Sequence, residues 1–101
     1  MEWTFVADSA AVPEGALVPV YPKGLNIVLA RVEGKVYALS GACVHMACPM
    51  FRGSLDGYVL RCPCHDWRYD IRTGKMLDAP ELALLSYAVD DRDGKLYLYI
   101  N

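Results

Sequence analysis

An all-β fold is predicted on three observations. Short β-branched and aromatic runs are set apart by Gly-containing turns, no window sustains a helical period, and two Cys- and Pro-rich segments break the strand rhythm. The expected architecture is a small β-sandwich or barrel carrying a two-loop binding subdomain. The chain has 101 residues and no internal repeat, low-complexity tract or linker, so it reads as a single domain over 1–101. The binding subdomain is expected at about 42–80.

The elements follow in order. Glu2 to Ala7 reads as a first strand, and the Pro13-Glu14-Gly15 turn leads into a second, Ala16 to Tyr21. Leu25 to Val32 and Lys35 to Leu39 form a hairpin closed at Glu33-Gly34, because Gly accepts the positive φ of a tight turn. Tyr58 to Arg61 follows a turn at Asp56-Gly57, and Trp67 to Asp70 pairs with Lys75 to Leu77 across Thr73-Gly74. Ser86 to Val89, a polar turn over Asp90 to Gly94, and Lys95 to Ile100 complete the chain. Two segments, Cys43 to Gly57 and Cys62 to His65, are left as loops.

Composition excludes several classes. A formal net charge of −2, with ten Lys and Arg scattered singly, argues against nucleic acid, which needs a basic patch. Apolar stretches such as Leu25 to Ala30 and Leu82 to Leu85 are far too short to span a bilayer. The start Met1-Glu2-Trp3-Thr4 carries neither a basic nor an apolar signal region, so a cytoplasmic protein without a membrane anchor is expected.

The four cysteines and two histidines all lie between positions 43 and 65. Cys43-Val44-His45 and Cys62-Pro63-Cys64-His65 give C-x-H, a spacer of 16 residues, then C-x-x-H. Each loop therefore offers one thiolate and one imidazole. Such a pair can present two thiolates to one iron and two imidazoles to a second, more exposed one. Structural zinc uses the same residue types. Zinc ribbons, however, pair their ligands as C-x₂-C and seldom add two further cysteines to the same loops, so the spacing favours iron and leaves zinc as the alternative.

Cys43-Val44-His45-Met46-Ala47-Cys48 and Cys62-Pro63-Cys64-His65 resemble the paired loops of Rieske subunits in cytochrome bc complexes. The tract His65-Asp66-Trp67-Arg68-Tyr69-Asp70 through Thr73-Gly74 is more similar to Rieske ferredoxins and ring-hydroxylating oxygenases. The resemblance covers roughly residues 43–80. It implies one [2Fe–2S] cluster held by Cys43, His45, Cys62 and His65.

The resemblance also implies a disulfide between Cys48 and Cys64, at positions that join the two loops in the bc type. Closing a loop of about 15 residues stabilises a fold by roughly 3 kcal/mol in the chain-entropy model. Compartment argues the other way, since cytosolic disulfides are rare. High-potential members of the family place a Ser and a Tyr beyond the second loop as donors to cluster sulfur. Tyr69 matches that Tyr, whereas Trp67 stands where the Ser would be and Asp66 where Gly is common. Ordinary core packing is the other reading of Tyr69. An intermediate potential follows, inside the Rieske range of roughly −150 to +300 mV. The histidines are expected at the tip, where imidazole protonation makes the potential fall as pH rises. Met46, Pro49 and Pro80 are expected to form an apolar docking rim around them, Pro80 resembling the family's proline-bearing third loop.

The function so implied is one-electron carriage between a reductase and a terminal oxidoreductase, by a monomer with no turnover of its own. No second His/carboxylate group for a mononuclear iron and no flavin or nicotinamide fingerprint accompanies the loops. Two alternatives stand beside it. One is a small subunit of a nitrite-reductase-like, arsenite-oxidase-like or bc-type complex, and the other is an iron–sulfur sensor module.

Overall fold

The computed structural model describes residues 2–41, 49–64 and 67–100. Ten strands make three antiparallel sheets, and among the described residues there is no α-helix. The first sheet joins β1 (Glu2–Asp8), β10 (Lys95–Ile100) and β9 (Val89–Arg92). The second joins β2 (Leu17–Val20), β3 (Ile27–Val32), β4 (Lys35–Ser40) and β8 (Ser86–Tyr87). The third is the short sheet of β5 (Ser54–Asp56), β6 (Val59–Arg61) and β7 (Arg68–Asp70).

The second sheet is the middle layer, and β3 shows why. Ile27, Val28, Leu29 and Ala30 are buried in succession, which a half-solvated strand with its period of two would not allow. Ile27 and Leu29, with Val36 and Ala38, meet Leu96, Leu98 and Ile100 of the first sheet. Val28, Ala30 and Leu39 face the other way, onto Leu60, Cys62, Tyr69, Ile71, Met76 and Leu84. The third sheet thus rests on the far face of the middle one. The expected sandwich is present, with the third sheet forming an extra layer.

Several boundaries differ from the sequence expectation, and Lys75 to Leu77, expected as a strand, makes only the isolated bridges Tyr69–Met76 and Lys75–Ala83. Residues 54–56, placed in a loop by sequence, form β5, since Ser54, Leu55 and Asp56 pair with Arg61, Leu60 and Val59. The hairpin turn is accordingly Gly57-Tyr58 rather than Asp56-Gly57, with Gly57 supplying φ 57° at the first central position. The C-terminal turn is Asp93-Gly94 alone (φ 52° and 79°), so the polar stretch Asp90 to Arg92 is strand. Its charged residues escape burial because β9 is an edge strand. The expected strand Ser86 to Val89 is split at Ala88, where the chain crosses from the middle sheet to the first.

Candidate metal centre

Two loops leave the middle and third layers, and each is closed at its base by a backbone hydrogen bond. Gly41 is tied back to Asn26, and the Met50 amide donates to the Gly41 carbonyl at 2.9 Å, bringing together the two ends of the first loop. The Cys62 amide donates to the Trp67 carbonyl at 2.7 Å, closing the second loop over residues 63–66. Of the expected site residues, Cys43, His45, Met46, Cys48 and His65 lie outside the described residues, as does Asp66. Cys62, Cys64, Tyr69, Pro49 and Pro80 are described.

The second loop sorts its two cysteines. Cys62 is wholly buried and is a free thiol, at the end of β6 and packed in the cluster of Met50, Leu60 and Tyr69. Cys64 faces solvent and is engaged by a partner. A dry, unbonded sulfur at a closed loop base suits a thiolate ligand, which needs exclusion of water and oxidants as well as a metal. Cys62 therefore fits an iron–sulfur ligand. Its neighbour does not compete for that role.

Tyr69 is fully buried on β7, opposite Leu60 and bridged to Met76, and it too has an interaction partner. Trp67 is half-buried against the same cluster. Pro49 is half-buried just before the turn Met50–Arg52, and Pro80 is exposed. The loop bearing Pro80 is pinned by three bonds. Leu82 donates to Ala79 at 2.8 Å, Met76 to Leu82 at 2.9 Å and Leu84 to Gly74 at 2.8 Å. Leu77, Leu82 and Leu85 are exposed along it, beside the exposed carboxylates of Asp78 and Glu81.

Sequence reading missed two features of the site. One is the arginine pair that brackets the second loop, Arg61 before Cys62 and Arg68 after Trp67, which only the β6–β7 register sets side by side. The other is Tyr58, whose contacts join the third layer to the middle one. Its partners are distant in sequence and left no local signal.

A buried free cysteine beside two loops closed at their bases is the arrangement an iron–sulfur protein needs. The comparisons with known proteins agree. The Rieske [2Fe-2S] domain matches residues 2–88, and the chain belongs to that family. Its cofactor is therefore one Rieske-type [2Fe–2S] cluster. The ferredoxin component of the naphthalene 1,2-dioxygenase/salicylate 5-hydroxylase systems of a Ralstonia species is 41% identical over 78 residues, covering 77% of this chain and 75% of that protein. A ferredoxin of Sphingomonas yanoikuyae B1 superposes with a TM-score of 0.90 at 25% identity, covering 99% of this chain and 100% of that one. The complex of reduced oxygenase and oxidized ferredoxin in carbazole 1,9a-dioxygenase contains a chain with a TM-score of 0.86 at 26% identity, over 95% of this chain and 91% of that one.

Proposed function

We propose that this chain is the ferredoxin of an oxygenase system, taking single electrons from a reductase and passing them to a terminal oxygenase. The observation that carries this is its likeness to ferredoxin components over three quarters or more of their own length.

Cys43 and Cys62 would hold one iron, and His45 and His65 the other. Bound there, the cluster supplies a reversible one-electron couple. The chain's own residues give it a setting: two backbone bonds join the ends of the loops that carry the ligands, Met50 and Leu60 pack with the buried Cys62, and the pinned Pro80 loop exposes Leu77, Leu82 and Leu85. Cys48 and Cys64 form a disulfide between the loops in this reading, supported by Cys64 being engaged while Cys62 is free. Tyr69 donates to cluster sulfur in this reading, supported by its complete burial on the strand that follows the second loop. The protein is read as a cytoplasmic monomer. No helix among the described residues is long and apolar enough to cross a membrane.

Reconstitution tests the assignment. Reductase and oxygenase components from the same host should give hydroxylated product only when this protein is added. Recovery of the chain from its host in a stable large complex, with no activity in that assay, would favour the subunit reading.

A further inference from the structure

The outer face of the third sheet sorts its charges along the strands. Register places Ser54, Arg61 and Arg68 in one cross-strand row and Asp56, Val59 and Asp70 in the next. The first row adjoins the second cluster loop, because Arg61 and Arg68 sit immediately outside Cys62 and Trp67, whose backbone bond closes that loop. The second row lies two residues further along the strands. There Asp70 is taken up by Arg72 through two bonds of 3.0 Å, while Asp56 lines the same cleft as Arg61 and Arg68.

Like charges directly opposite each other on neighbouring strands repel. Arg61 and Arg68 are such a pair. Arg61 makes no ion pair among the described residues, and Arg68 reaches only Asp78, at 3.5 Å with both side chains exposed, where a salt bridge contributes little. A third guanidinium joins them. Arg52 lines an open cleft of about 360 Å³ together with Arg61, Cys62 and Pro63. Gly53 permits that approach, since a Cβ at this position would overlap the Arg61 carbonyl oxygen. Three cations are thus concentrated beside a cluster ligand in a chain whose formal net charge is −2.

We propose that Arg52, Arg61 and Arg68 form the docking surface for a redox partner that surrounds its electron-exchange site with carboxylates. This rests on the electron-carrier reading above. The row is unfavourable in the free protein and is compensated when a partner's carboxylates face it, so charge complementarity selects an acidic protein face. It lies at the base of the second loop, so the attraction orients the partner relative to that loop. Screening over about 8–10 Å confines the effect to close approach and makes it salt-dependent.

Two oppositely charged one-electron oxidants read the local field. The cobalt(III) EDTA anion and the tris(phenanthroline)cobalt(III) cation each take one electron from the reduced protein, giving cobalt(II). With the anion, the rate should fall as salt rises, opposite to what a net charge of −2 predicts. Arg61→Gln and Arg68→Gln should slow that reaction several-fold without slowing the cation. These side chains are exposed, and removing a repulsive pair does not threaten folding. Arg61→Glu/Arg68→Glu should then slow exchange with the reductase or the oxygenase by about tenfold at low salt, with the difference vanishing at high salt. A rate with the anion that rises with salt, or unchanged rates with both protein partners, would overturn the proposal. A wild-type protein without a reducible cluster would instead remove the electron-carrier reading itself.

Discussion

The Tyr58 hydroxyl donates a 2.6 Å hydrogen bond to the Glu33 carboxylate, tying the β5–β6 turn of the third sheet to the β3–β4 turn of the middle one. Its ring meets Tyr37 edge-on at 6.1 Å, and the Arg72 guanidinium lies over its face at 4.3 Å. Glu33 is itself held in place: its amide and that of Gly34 donate to the Glu14 carboxylate at 2.7 and 2.9 Å. This contact fixes one end of the layer whose other end carries the cluster loop.

The Tyr58–Glu33 bond should be visible in a titration. Acceptance by Glu33, with burial and the Glu33 charge adding to it, pushes the Tyr58 phenol up from 10.0 to about 12. A raised acid pKa means that the folded state holds the proton longer than the unfolded chain. The contribution is complete below pH 10 and is lost as pH rises toward 12. Phenolate absorbance should therefore show one tyrosine ionising about two pH units late, and Glu33→Gln should bring it back toward 10. A Tyr58 that titrates normally in the wild type would refute the contact.

Gly74 is a second joint. It combines φ +82° with a backbone approach so close that a Cβ would overlap the Leu84 carbonyl oxygen. Gly74→Ala should cost on the order of 2 kcal/mol in urea unfolding and loosen the Pro80 loop. Gly57→Ala is the control. Its φ is also positive, at +57°, but open space surrounds it, so it should cost only about 1 kcal/mol of backbone strain. Equal losses at the two sites would mean that the approach to Leu84 contributes nothing.

Much of this was legible beforehand, and the exceptions have physical causes. Glu33-Gly34 was readable as a hairpin turn because Gly at positive φ leaves a local mark. Asp90 to Arg92 misled because acidic residues look like a turn, whereas an edge strand tolerates them. β5 was hidden because Ser54 to Asp56 is too short to show alternation. Cys62 stood out as a candidate ligand through its spacing to His65. The Arg61–Arg68 row did not, since only sheet register brings those two side chains together.

Replacing the Tyr69 hydroxyl separates donor from core aromatic. Tyr69→Phe keeps the ring in the buried cluster, so fold and optical spectrum should persist. If the hydroxyl donates to cluster sulfur, the reduced state loses a charge-assisted bond and the potential drops by roughly 50 mV. An unchanged potential assigns Tyr69 to packing alone.

The loop disulfide is a matter of mass and stability. Alkylation of the native protein should leave Cys48 and Cys64 unmodified until a reductant is added. Cys48→Ser or Cys64→Ser should lower stability by about 3 kcal/mol in the chain-entropy model. Two alkylatable thiols at these positions in the native protein would contradict the bond.

The cluster itself is tested most directly by electron paramagnetic resonance of the dithionite-reduced protein. Ligation by Cys43, His45, Cys62 and His65 predicts a rhombic signal whose average g lies below that of an all-cysteine [2Fe–2S] centre, lost in Cys62→Ser and His65→Ala. A signal with the all-cysteine average, or a colourless and silent protein loaded with zinc, would contradict it.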